Sequence, residues 1–175
     1  ASEGLNTLVK GMAQQLFKEG KRLSFFCSDV DHSCVVNLKD ELELYGHSFS
    51  QFPVDHNGDF DIDEVVGMLD SAGDSQKLLN FTHVNNETGV VWPLEMAEAI
   101  KKKTGCLVHV DGVQSIGKVD NWEKINSELD AYTFSGHKFG AFKGIGFSFI
   151  KESFKFCSLI SGGGQQKDMR SGTEN

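Results

Sequence analysis

Lys138 closes a short polar stretch, Ser135-Gly136-His137-Lys138, that follows the β-prone run Ala131-Tyr132-Thr133-Phe134 without a gap. An amine at the end of a strand is partly withdrawn from water, and a lysine amine held near a ligand can form an imine with a carbonyl. A lysine in that place is equally a solvated surface charge, so its chemistry rests on what other loops bring to it. Asp111 ends a second apolar run, and a carboxylate so placed needs a partner. It can cap a short following turn, or it can hold the ring nitrogen of a pyridoxal cofactor, which needs an acid there to act as an electron sink. Gln114, three residues on, can donate to the phenolic oxygen of such a ring. His32 lies in a third polar loop, where an imidazole can stack on an aromatic ring, move protons near neutral pH, or be merely solvated.

An alternation of helices and strands positions these loops. Leu5, Leu8, Val9, Met12 and Leu16 fall at helical spacing up to a stop at Gly20, and Leu23-Ser24-Phe25-Phe26-Cys27 then reads as a strand. Val35, Leu38 and Leu42 predict a second helix running to Gly46, followed by a short strand over 48–54 and a third helix over 63–69. A buried strand at 78–82, a helix from Pro93 to Lys103 stopped near Gly105, and a strand over 106–110 continue the series. Strands at 131–135 and 146–150 complete it. The pattern predicts an α/β domain of three layers: a mostly parallel sheet with right-handed crossovers and helices on both faces. Ligands of such sheets sit at the carboxyl ends of the strands. The polar clusters at 29–32, 83–87, 111–114 and 135–138 all follow strand ends, so four loops are expected to converge on one pocket.

The chain has 175 residues, 39% hydrophobic and 24% charged, which suits one soluble domain with a real core. Its formal charge of −8 argues against a nucleic-acid partner, because no basic run is present to build a face for phosphates. No window reaches the about 18 consecutive apolar residues of a membrane helix, and the first residues do not read as a signal peptide, so a cytoplasmic or organelle-matrix protein is expected. Cys27, Cys34, Cys106 and Cys157 are scattered without a Cys-x-x-Cys pair; buried or half-buried free thiols are expected, with neither a metal site nor disulfides. The stretch from Asp55 to Asp61 has the look of a calcium loop, but its glycine is fourth instead of sixth and Val66 stands in place of the closing glutamate. Gly162-Gly163-Gly164 reads as a flexible connection, or as backbone that comes close to a ligand or a partner chain. The chain opens on a helix start and stops abruptly at Asn175, so it is expected to be cut from a longer protein.

Several blocks taken in order carry a resemblance. They are His83-Val84-Asn85-Asn86-Glu87-Thr88-Gly89, then His109-Val110-Asp111-Gly112-Val113-Gln114, then Ser135-Gly136-His137-Lys138 with Lys143-Gly144-Ile145-Gly146. Gly162-Gly163-Gly164-Gln165 and Arg170-Ser171-Gly172-Thr173-Glu174-Asn175 follow. In order and spacing they resemble the cysteine desulfurases of the NifS/IscS type, in the class V aminotransferase group. Ala1-Ser2-Glu3 is similar to that family's Ala-Thr-Glu phosphate-binding turn, and Asp31-His32 to its loop with a ring-stacking histidine.

The resemblance implies a fold type I pyridoxal-phosphate enzyme, with residues 1–175 as its large cofactor-binding domain, truncated at both ends and lacking the small C-terminal domain. By motif match Lys138 would be the Schiff-base lysine, Asp111 the partner of the pyridine nitrogen and Gln114 that of the phenolic oxygen. His32 would stack on the ring and share proton transfer with Lys138. Ser2, Ser135 and His137 would hold the phosphate, helped by amides at the start of the first helix. Asn85 would lie near the substrate, and Thr173 would reach the phosphate of a neighbouring subunit, which implies a homodimer. The family reaction takes sulfur from L-cysteine onto an enzyme cysteine as a persulfide and leaves alanine. That cysteine belongs to a loop beyond residue 175, as does the family's substrate-carboxylate arginine, so this chain alone is expected to be inactive. A sulfur-acceptor or scaffold protein is implied, in iron–sulfur cluster assembly or tRNA thiolation. Other class V enzymes, such as a selenocysteine lyase or an aminotransferase, and a non-catalytic binding module are the alternatives; the Asn-Asn-Glu-Thr-Gly and Arg-Ser-Gly-Thr-Glu-Asn blocks favour the desulfurase. The chain departs from the family pattern at Ser2 for threonine, Gly112 for alanine, and Phe142 for the proline before Lys143.

Overall fold

The computed structural model describes residues 1–120 and 128–174. Helix α1 (Ser2–Lys18) buries Leu5, Leu8, Val9, Met12 and Leu16 along one stripe, as their spacing dictates. Then come β1 (Leu23–Ser28), α2 (Ser33–Val36), α3 (Lys39–Leu44), β2 (Ser48–Phe52), α4 (Ile62–Ser71), β3 (Gln76–Thr82), α5 (Leu94–Thr104) and β4 (Leu107–Asp111). The described chain continues with β5 (Ala131–Ser135), a 3-10 turn (Gly136–Phe139), β6 (Gly146–Ile150) and a second 3-10 turn (Gln165–Asp168). Asp61 caps α4 by accepting from the amides of Asp63 and Glu64, and Gly105 ends α5 in the left-handed conformation.

The single helix expected over Val35, Leu38 and Leu42 is instead two short ones, α2 and α3, broken at Asn37 and Leu38. Two β-branched valines followed by asparagine are poor helix formers, yet all three apolar positions are buried, so the packing pattern survives the break. The stretch from Asp55 to Asp61 is a tight turn. Asp55 spends its carboxylate on the amides of Asn57 and Asp59, and the indole of Trp92 donates to the Gly58 carbonyl at 2.8 Å.

The six strands form one sheet in the order β2-β1-β3-β4-β5-β6. All neighbours pair in parallel except β5 and β6, which are antiparallel because no helix separates them in the chain. Alternation along each strand divides the core. Phe25, Cys27, Leu78 and Ala131 pack beneath α1, α2 and α3, while Phe26, Leu79, Phe81, Val108 and Val110 pack beneath α4 and α5. This is the three-layer, mostly parallel arrangement with helices on both faces. Its bearing on function lies in the sheet order: β1, β3, β4 and β5 are contiguous, so the loops after their carboxyl ends emerge side by side.

Candidate functional site

Hydrogen bonds at the strand ends tie the loops after β1, β3 and β4 to their neighbours. Asn85, in the loop after β3, donates from Nδ2 to the carbonyl of Val30 after β1 at 2.9 Å. The His83 amide donates to the Asp111 carbonyl at 3.1 Å, and the Gly112 amide to the Thr133 carbonyl at 3.0 Å. Asp31, after β1, accepts from Thr82 at the end of β3. The side chains expected to do chemistry are therefore displayed along one rim.

Lys138 stands in the 3-10 turn directly after β5 and is half-buried. Asp111 is the last residue of β4; one oxygen accepts from the Val113 amide at 3.0 Å. Burial pushes its carboxyl above the ordinary carboxylate range, and the nearby His32 imidazole works against that shift. His32 is exposed and caps α2: its Nδ1 accepts from the Cys34 amide at 3.1 Å, which leaves the proton on Nε2 in the neutral ring. Gln114 has its Oε1 occupied by Lys118 at 2.6 Å, so Nε2 is the atom left to donate to a ligand. Ser135 Oγ and His137 Nδ1 lie 3.0 Å apart beside Lys138. Ser2 opens α1, whose cap residue Ala1 offers no side-chain bond to the first-turn amides.

Asn85 and Thr173 have these surroundings. Asn85 is buried; Nδ2 donates to the Val30 carbonyl and Oδ1 accepts from the amides of Glu87 and Thr88, so it organises its own loop and ties it to the His32 turn. Thr173 is exposed beyond the buried Ser171, in a stretch pinned to α1 by the ion pair of Arg170 with Glu3. Asn175, the last residue of that block, lies outside the described residues. Of the three departures from the family pattern, Gly112 has a local cause: a Cβ there would stand 2.4 Å from the Phe134 ring, which fills the space of an alanine methyl. Phe142 projects into solvent, 90% exposed. Ser2 keeps the hydroxyl of the threonine it replaces.

The buried thiols of Cys27 and Cys106 and the half-buried thiol of Cys34 are all pushed up by desolvation, which makes them poor nucleophiles. A cleft of about 370 Å³ lies between α1 and α2, with Ser2, Asn6, Lys10 and His32 on its walls. A wider one of about 810 Å³ opens at the opposite, amino ends of the strands, away from every candidate site residue. Ligands of parallel sheets collect at carboxyl ends; of the candidate residues the smaller cleft is lined by Ser2 and His32, and not by Lys138, Asp111 or Gln114. Sequence reasoning overlooked Asp31, Asn80, His109 and Thr133, all buried and hydrogen-bonded in series. The available signal was the placing of Asn80, His109 and Thr133 inside otherwise apolar strands, where a polar side chain must find a partner.

The family model described as Aminotransferase class-V matches residues 1–174. The chain is 36% identical over 174 residues to Cysteine desulfurase 2 of Trichormus variabilis, covering 99% of this chain and 42% of that protein. It is 32% identical over 155 residues to Cysteine desulfurase NifS of Azotobacter vinelandii, covering 89% of this chain and 38% of that one. A solved structure described as a NIFS-like protein superimposes with a TM-score of 0.81 at 32% identity, over 99% of this chain and 47% of that one. DndA from Streptomyces lividans does so with 0.85 at 28% identity, over 98% and 48%. A further structure, described as SspA in complex with cysteine, gives 0.81 at 29% identity over 99% and 49%. The chain thus spans less than half the length of each of these relatives.

Proposed function

The chain belongs to the class-V aminotransferase family, and from that membership we propose that it is the cofactor-binding part of a pyridoxal-phosphate-dependent cysteine desulfurase. The observation that carries the reading is the gathering of Lys138, Asp111 and His32 on one rim by three of four contiguous parallel strands. The residues suit the group. A half-buried amine, a half-buried carboxylate with one oxygen bonded to the Val113 amide, and uncapped amides at the start of α1 match an aldehyde, a ring nitrogen and a phosphate in turn.

Bound in this site, pyridoxal phosphate supplies an electron sink for the substrate's α-carbon. Lys138 holds the aldehyde carbon through its amine. Asp111 would keep a proton on the ring nitrogen. Gln114 donates from Nε2 to the phenolic oxygen. His32 would stack on the ring and, through Nε2, share proton transfer with Lys138. Ser2, Ser135 and His137 bind the phosphate, while Asn85 keeps the neighbouring loop in place beside the substrate. The substrate is L-cysteine, the products alanine and an enzyme persulfide. None of the four thiols here matches the place of the family's sulfur-accepting cysteine. A homodimer through Thr173, a cytoplasmic location and a sulfur-accepting partner complete the reading.

Purified chain mixed with pyridoxal phosphate is expected to gain the visible absorbance of a lysine-bound pyridoxal, and Lys138→Ala to abolish it. A wild type without that band, or a variant that keeps it, overturns the cofactor assignment. The full-length protein given L-cysteine is expected to release alanine; none above background overturns the desulfurase reading.

A further inference from the structure

On the α1 face of the sheet one unbroken polar string crosses β3, β4, β5 and β6 beneath the rim. At its first end Asp31 Oδ1 accepts from Ser28 Oγ at 2.9 Å and Thr82 Oγ1 at 2.6 Å, and Oδ2 accepts from Asn80 Nδ2 at 2.9 Å. Asn80 Oδ1 meets His109 Nδ1 at 2.7 Å, and His109 Nε2 meets Thr133 Oγ1 at 2.8 Å. Thr133 Oγ1 lies 3.1 Å from Ser148 Oγ. There α1 closes over the string: a Cβ on Gly4 would stand 2.7 Å from the Ser148 hydroxyl and 3.1 Å from Thr133 Cγ2.

The direction of every bond follows from the first. A carboxylate can only accept, so Asn80 turns its NH₂ to Asp31 and its oxygen to His109. His109 must then carry its proton on Nδ1 and accept on Nε2, so Thr133 donates to it and in turn accepts from Ser148. Burial holds the His109 ring neutral, down to about 3, as this single tautomer demands. The string thereby joins two walls of the site. Asp31 folds the turn that presents His32, and Ser148 and Thr133 seat the first turn of α1, where Ser2 stands.

We propose that Asp31 is a positioning residue: the string through Asn80, His109 and Thr133 fixes its carboxylate, and thereby the spacing between the His32 imidazole and the first turn of α1. A ligand with a flat ring and a phosphate needs that spacing held, because ring and phosphate are bound by different elements. The proposal rests on the pyridoxal-phosphate reading for the ligand alone; the string itself does not depend on it.

The test compares His109→Gln, which keeps one donor and one acceptor, with His109→Leu, which keeps neither. Two signals are read: the His32 ring resonances of the free chain by NMR, and the affinity for pyridoxal phosphate with the circular dichroism of its bound visible band. His109→Leu is expected to shift or broaden the His32 signals and weaken binding about tenfold, the effect of about 1.4 kcal/mol. His109→Gln is expected to restore both. If His109→Leu does not fold, Thr133→Val, which removes only the hydroxyl, carries the same expectation. Folded variants with wild-type His32 signals and affinity overturn the proposal, as does a glutamine variant no better than leucine. Should the wild type bind no cofactor, the pyridoxal reading falls and the His32 signals of the free chain alone decide the positioning claim.

Discussion

Gly112 and Phe134 fill a single space between the ends of β4 and β5. Gly112→Ala, a change toward the residue common in the family, is therefore expected to destabilise the chain by about 1–3 kcal/mol through overpacking. Pairing it with Phe134→Leu is expected to recover most of the loss; a denaturant midpoint unmoved by the single change would show that the ring yields freely. The positions of Lys138, Asp111 and His32 were legible in the sequence because Asp111 follows an apolar run at once, and Lys138 and His32 stand in the polar stretches that end two others. The engagement of the Asn85 amide was not legible, since its partner, the Val30 carbonyl, lies fifty-five residues away on another loop. Neither was the split of α2 from α3, where local propensity at Val36 and Asn37 prevailed over a helical pattern that burial alone would have allowed.

Across elements, the polar string couples the strands to pH with two opposing signs. His109 is pushed down to about 3, so between there and its ordinary value near 6.5 the unfolded chain binds more protons, and its contribution to stability is lost as pH falls. Asp31 is pushed up to about 6 by burial, against the pull of its donors Thr82, Asn80 and Ser28. Between its unfolded value and 6 the folded chain binds more protons, so its contribution is lost as pH rises. Between about pH 4 and 6 the two nearly cancel. Asp31→Asn removes one of them, and its stability should fall with acid more steeply than the wild type's, by about 1.4 kcal/mol per pH unit in that window. Parallel slopes of chemical unfolding stability against pH would contradict the assignment. Part of this coupling was hidden from the sequence: β3, β4, β5 and β6 lie side by side in chain order, but Asp31 follows β1, whose place beside β3 the chain order does not reveal. Strand identities and the parallel bias were readable from periodicity and alternation.

At the scale of the molecule, β6 leaves the sheet with an edge and a broad apolar face. Phe147 and Phe149 are about half exposed, and Phe139, Ile145 and the almost wholly exposed Phe142 extend the patch around the Lys138 turn. Aromatic surface of that extent, at an unprotected strand edge, favours association. Residues 1–175 expressed alone are expected to self-associate with rising concentration in sedimentation or light scattering; a stable monomer with a high melting temperature would count against it. The same hairpin bears on the order in which the chain assembles. β5 and β6 are joined by only ten residues, 136–145, whereas each parallel pairing waits on a longer crossover. Closing a short loop costs little entropy and takes far less time than bringing distant strands together. The turn that carries Lys138 can thus be shaped while the chain is still largely open, and Asp111 and His32 reach it only when the long connections close.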